Sequence, residues 1–150
     1  MLDFSNSKIL IVGDVMLDKY YFGKVDRISP EAPVPIVNIQ KEESRLGGAS
    51  NVANNIVSLG GHSLLCGVIG HDLFGKEIER ISRHKNIDTF LLKTSSPTIT
   101  KARIIGGKQQ IVRVDYEDKS ELNADNKKLF RDTISRILPE YDILVISDYG

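Results

Sequence analysis

This 150-residue sequence predicts an α/β fold: a mostly parallel sheet flanked by helices, with a small β lid. Three observations predict it. Short apolar runs alternate with amphipathic stretches of about ten to fifteen residues, the pattern of strands and right-handed crossover helices. The apolar runs end in Gly13-Asp14, Gly70-His71-Asp72 and Asp148-Tyr149, so carboxylates arrive at strand ends. A half-polar stretch broken by Pro30, Pro33 and Pro35 interrupts the pattern and reads as a separate β element. A chain of this length buries about 70% of its unfolded surface, which suffices for one real core but not for two full domains.

In chain order, Ile9-Leu10-Ile11-Val12 is apolar on both faces and predicts a buried strand. Residues 16–23 and 34–40 predict short half-polar strands of the lid, which occupies about 16–46. The pair Gly47-Gly48 opens a helix that buries Ala49, Val52, Ala53, Ile56 and Val57 at helical spacing, and Gly60-Gly61 ends it. Residues 63–69 predict a second buried strand. Asp72 is an N-cap for a helix over 73–85 with Phe74, Ile78 and Ile81 inward. Residues 98–105 and 109–116 flank Gly106-Gly107-Lys108 as a hairpin. A helix over 124–138 carries Leu129, Phe130, Ile134 and Ile137 and stops at Pro139. Residues 142–147 predict one more buried strand. The chain ends where a further loop and helix are expected, the pattern of the first part of a longer α/β domain.

Composition excludes several classes. Lys plus Arg equals Asp plus Glu, and no basic stripe alternates with aromatics, which argues against nucleic-acid or membrane-surface partners. There is no basic leader followed by a long apolar run, and no transmembrane segment is expected. Cys66, the single cysteine, sits in an apolar run and is expected to pack as a small hydrophobe, which suits a reducing, cytoplasmic setting. The three histidines lie apart, so no structural metal site is expected.

The chemistry concentrates in Gly47-Gly48-Ala49-Ser50-Asn51 and Asp14. Paired glycines let a ligand approach the main chain, and amides at a helix start are unpaired donors in a positive dipole. Asn51, Asn54 and Asn55 are weak helix formers at roughly half a kcal/mol each, a choice that suggests contacts beyond helix stability. A carboxylate facing such a helix suits a polyol, since it accepts two vicinal hydroxyls while asparagine donates and accepts. The competing readings are a solvated asparagine face and an Asp14 carboxylate that caps local amides.

The string Gly47-Gly48-Ala49-Ser50-Asn51-Val52-Ala53 resembles the N-terminal signature of the ribokinase-like carbohydrate kinases. Gly13-Asp14, Leu59-Gly60 and Gly67-x-x-Gly70-x-Asp72-x-Phe74-Gly75 fall in the order of that family. The strings from Val12 through Asp18, from Arg27 through Pro35, from Pro97 through Lys101, and Gln109-Gln110 with Arg113-Val114-Asp115 resemble the branch acting on heptose 7-phosphate in lipopolysaccharide core and ADP-heptose biosynthesis. The resemblance implies transfer from ATP, with Mg²⁺, to the anomeric hydroxyl of D-glycero-D-manno-heptose 7-phosphate. It implies sugar contacts from Asp14, Gly47, Gly48 and Asn51, and a lid that covers the sugar and pairs two subunits as a homodimer.

Lys101 and Arg103, two apart on one strand face, are candidates for the sugar's phosphate, and Asp148 for ordering sugar or metal-bound water. The family's catalytic base and most of its nucleotide site lie in a C-terminal half beyond these residues. No catalytic residue is therefore assigned here, and the 150-residue chain alone is expected to be inactive. Two other readings are a kinase of the same family for another sugar, and a non-catalytic sugar-binding or subunit-pairing module.

Overall fold

The computed structural model describes residues 6–118 and 120–149. The elements run β1 (Lys8–Gly13), β2 (Val15–Ile28), β3 (Pro35–Gly47), α1 (Gly48–Ser58), β4 (His62–Gly70), α2 (Leu73–His84), β5 (Asp88–Thr94), β6 (Thr100–Gly106), β7 (Gln109–Tyr116), α3 (Ala124–Ile137) and β8 (Ile143–Ser147). A short 3-10 turn, Leu138–Glu140, joins α3 to β8 at Pro139.

Four strands form a parallel sheet in the order β5-β4-β1-β8. Strand β1 is paired along both edges, and Leu10 and Ile11, which alternate between its two faces, are fully buried. Ile9, Ile11 and Leu65 pack with Ala49 and Ala53 of α1 and with Ile78 and Ile81 of α2. The two alanines let α1 lie close to the sheet. Gly60, at φ 87°, ends α1: its amide donates to Val57 O and that of Gly61 to Ile56 O, which satisfies two carbonyls of the last turn. Cys66 is buried as expected, and burial pushes its thiol up to about 12, so it stays protonated at neutral pH.

The second sheet has the order β3-β2-β6-β7. Strands β2 and β3 form a long antiparallel hairpin, paired from Met16↔Gly47 to Ile28↔Pro35, and the prolines lie at its tip. Bulges at Phe22/Gly23 and Val25/Arg27 interrupt this ladder.

Two expectations need correction, the bounds of the lid strands and the burial of β8, and two features are added, the sheet that the β6-β7 hairpin joins and strand β5. The hairpin strands extend well beyond 16–23 and 34–40, because polar residues on an exposed face do not end a ladder that carries apolar partners on the other. The hairpin of β6 and β7 does form around Gly107 (φ 64°), but it joins the second sheet, β6 pairing in parallel with β2. Strand β5 was not expected at all; it is an edge strand of the parallel sheet, and its Asp88-Thr89 start and Lys93-Thr94 end mask a short apolar centre. Strand β8 is not buried: among the described residues it pairs with β1 alone, and Ile143, Leu144 and Ile146 are exposed.

Candidate functional site

Strand β1 ends at Gly13, and the chain crosses directly into β2, so residues 14–18 pass the start of α1. Three backbone links fix that junction. Asp14 N donates to Ser147 O at 3.0 Å, Ala49 N donates to Asp14 O at 2.9 Å, and Val15 forms an isolated antiparallel bridge with Gly48. Ser50, fully buried, donates its hydroxyl to Gly47 O at 2.6 Å and lies 3.1 Å from Met16 O. The expectation of free amides at the start of α1 is corrected at Ala49, whose N–H is spent on Asp14's own carbonyl because the β1-β2 crossover lies against the helix start.

The two glycines meet two different aspartates. A Cβ on Gly48, which stands at φ 51°, would lie 2.4 Å from Asp14 O. A Cβ on Gly47 would lie 2.7 Å from Asp18 Oδ2. The glycines thus form a seam with one carboxyl-bearing residue on each side.

On one side, the Asp14 carboxylate accepts the Tyr149 amide at 2.7 Å. Asp14 lines a cavity of about 230 Å³ with Gly13, Val15, Gly67 and Phe130. Asp148, exposed at the end of β8, immediately precedes the amide that Asp14 caps. On the other side, Asn51 lines a groove of about 610 Å³ together with Asn54, Asp18, Tyr20 and Arg45. The structure therefore does not gather the predicted residues around one cavity: Asp14 and Asn51 face different hollows, separated by the glycine seam.

Lys101 and Arg103 do share a strand face, as their spacing predicts, and both are ion-paired. Arg103 Nη1 binds Asp18 Oδ1 at 2.6 Å and Lys101 O at 3.2 Å, with both side chains of the ion pair about four-fifths buried. Lys101 Nζ lies 3.7 Å from Asp115, whose carboxyl the neighbouring Arg113 holds below the usual carboxylate range. Across the sheet, Arg45 binds Glu43 at 2.7 Å, and hydrogen bonds from Lys41 and then Arg45 keep the Glu43 carboxyl low.

Asp18, Tyr20 and Arg45 were not singled out from sequence as site residues. Asp18 does fall in the string from Val12 that carries the resemblance to the heptose 7-phosphate branch. Alternation along β2 would have placed Asp18 and Tyr20 on one face.

Among the described residues no glycine-rich phosphate loop is formed. Gly106-Gly107-Lys108 is consumed as a hairpin turn, with Gly107 N donating to Gly23 O at 2.8 Å. Among the described residues no group of three or more His, Cys, Asp or Glu is placed to hold a metal ion. Among them, too, no helix is long and apolar enough to cross a membrane.

The parallel sheet, its flanking helices and the second sheet at its strand ends define a ribokinase-like sugar-kinase fold. The phosphofructokinase-2 of Escherichia coli, solved with fructose-6-phosphate, superposes with a TM-score of 0.69 at 19% identity, over 94% of this chain and 45% of that one. The chain belongs to the pfkB family of carbohydrate kinases, whose model matches residues 6–148. A protein of Bordetella bronchiseptica named D-beta-D-heptose 7-phosphate kinase is 47% identical over 97% of this chain and 46% of its own length. The bifunctional protein HldE of a Nitratiruptor species is 47% identical over 95% of this chain and 31% of its own length. The chain thus spans 31% and 46% of the lengths of these two curated relatives. Both the fold class and the family resemblance read from the sequence are borne out.

Proposed function

We propose that this chain is the sugar-binding half of a kinase that transfers the γ-phosphoryl group of ATP, with Mg²⁺, to the anomeric hydroxyl of D-glycero-D-manno-heptose 7-phosphate, on the route to ADP-heptose and lipopolysaccharide core. The observation that carries this reading is the 47% identity, over nearly the whole chain, to a relative named for that substrate. The polar seam at the strand ends supports it. The sugar bridges the two hollows across the glycine seam, with Asp14 contacting it from one side, Asn51 from the other and Gly47 and Gly48 between them; Lys101 and Arg103 take its phosphate, and Asp148 orders sugar or metal-bound water. ATP and Mg²⁺ supply the transferred group and its charge neutralisation, and this chain contributes orientation of the acceptor. By itself it releases no ADP.

An ADP-release assay of the whole protein with heptose 7-phosphate, fructose 6-phosphate and adenosine tests the reading. Turnover is expected with heptose 7-phosphate at a kcat/KM at least a hundredfold above the others, because a site built to pair hydroxyls rejects analogues lacking them. Preference for fructose 6-phosphate or adenosine, or ADP release by the 150-residue chain alone, would overturn it.

The second sheet is proposed to cover the sugar and to pair two subunits. Val25, Ile28, Val34 and Ile39 are exposed along the distal half of its hairpin, an apolar strip that dimerisation would cover. Sedimentation velocity is expected to show a dimer, and Ile28→Asp a monomer. A wild-type protein that sediments as a monomer at micromolar concentration would exclude the pairing.

A further inference from the structure

We propose that the groove between α1 and the second sheet holds the phosphate of the sugar phosphate, with Arg45 as a second guanidinium contact beside Arg103 and Asp18 as the residue that positions Arg103. This rests on the kinase reading above and assigns part of its site.

The groove is built around one ring. Tyr20, Asp18 and Arg45 line the groove, and two guanidinium groups lie against the one phenol, Arg45 Cζ 4.8 Å and Arg103 Cζ 5.2 Å from the Tyr20 centroid, Arg103 reaching the groove through its ion pair with Asp18. Like charges do not gather this way without counter-charge, and the structure supplies it unequally. Arg103 is locked: its partner Asp18 is about four-fifths buried, and the Asp18 carboxylate is wedged against Gly47, where any Cβ would lie 2.7 Å away. Arg45 is loosely held: its side chain is 60% exposed, and its partner is Glu43 on the same strand. An exposed pair of this kind is weak and screened by solvent, so an incoming dianion displaces it readily.

A phosphate fits this division. Guanidinium presents two parallel N–H donors to two phosphate oxygens, and a planar ring beside it keeps the fork aligned. Asn51 and Asn54, on the opposite wall, add amide donors where a sugar hydroxyl or the remaining phosphate oxygen would sit. Of the two carboxylates at the groove, Asp18 is committed to Arg103, and Glu43 keeps Lys41 when the anion draws Arg45 away. Gly47 then serves this subsite: it leaves the space that Asp18 needs in order to hold Arg103.

The test uses the whole protein and its Arg45→Ala, Arg45→Lys, Asp18→Asn and Asp18→Glu variants, each first checked for an unchanged thermal melt. Arg45→Ala is expected to raise KM for heptose 7-phosphate at least tenfold with kcat within a factor of two and KM for ATP unchanged. Arg45→Lys should recover part of the loss. Asp18→Asn should raise KM for heptose 7-phosphate without changing KM for the unphosphorylated heptose, and Asp18→Glu should restore it partly; a merely structural role would move both sugars together. Inorganic phosphate is titrated separately by ³¹P line broadening, with loss of binding expected in Arg45→Ala. If wild-type protein does not turn over heptose 7-phosphate, the kinase reading fails, and the phosphate titration alone decides the groove. Equal phosphate binding by wild type and Arg45→Ala, binding by neither, or an unchanged KM in Arg45→Ala would overturn the proposal.

Discussion

Gly48→Ala is expected to destabilise the protein by about 2 to 5 kcal/mol, read from urea denaturation. Two independent terms add. Gly48 stands at φ 51°, and a non-glycine residue in that left-handed region costs roughly 1–2 kcal/mol. The new Cβ would also lie 2.4 Å from Asp14 O and 2.8 Å from Met16 Cε, and overpacking of this kind costs about 1–3 kcal/mol. The first obstacle is backbone. It cannot swing away, because the same carbonyl accepts Ala49 N and the Asp14 amide is bonded to Ser147 O. Relief would have to separate β1 from α1. The neighbouring Gly47→Ala should behave differently, since its nearest obstacles are the Asp18 carboxylate and Met16 Cγ, both side-chain atoms that can move. That variant is expected to keep more of its stability and to lose affinity for the phosphorylated sugar. A Gly48→Ala protein within 1 kcal/mol of wild type would show that the junction is not the rigid seam described above.

Those two glycines also show where sequence reading succeeds and where it stops. The pair was legible as a place where backbone needs room, and Asp14 as its neighbour, because strand ends and helix starts are written in local residue patterns. What the glycines make room for was not legible. Gly48 faces the Asp14 carbonyl and Gly47 faces Asp18, and only the crossover from β1 into β2 determines that division. The parallel sheet was read correctly from its apolar runs, except at its edges. Strand β5 escaped because polar residues bound a short apolar centre, and β8 was misjudged because an apolar run does not say whether one neighbour or two will cover it. The second sheet was half seen: the hairpin at Gly107 was evident, but its pairing with β2 joins residues more than eighty positions apart, which no local pattern records. Arg45 reaches Tyr20 through the β2-β3 hairpin, but Arg103 reaches it only through the β2-β6 pairing, so that contact is a product of topology.

Asp72→Ala is expected to cost about 2 to 4 kcal/mol and to do so in a pH-dependent way. Asp72 is the N-cap that sequence predicts, accepting Gly75 N at 2.8 Å, but its carboxylate also accepts Thr98 N at 2.7 Å and the Thr98 hydroxyl at 2.8 Å. The Thr98 hydroxyl in turn accepts Gly70 N at 2.9 Å, which joins the end of β4, the start of α2 and the entry to β6 in one network. Thr98 is almost completely buried, so removing the carboxylate strands its amide at about 1–3 kcal/mol, to which loss of the cap adds about 1 kcal/mol. Burial pushes the Asp72 carboxyl up, but the donors from Thr98, Gly75 and Phe74 outweigh it and leave the group below its ordinary value. A carboxyl depressed in the folded state contributes stability that is fully present above its unfolded pKa, near pH 4, and is lost as pH falls through the folded one. The stability difference between wild type and Asp72→Ala should therefore be constant from pH 7 to about pH 5 and narrow below about pH 4. Asp72→Ser, which keeps a cap but is too short to reach Thr98 as well, should fall between the two. Urea midpoints at pH 7, 5, 4 and 3 measure all three proteins, and a gap that stays the same down to pH 3 would show that the carboxylate is not what joins the two sheets.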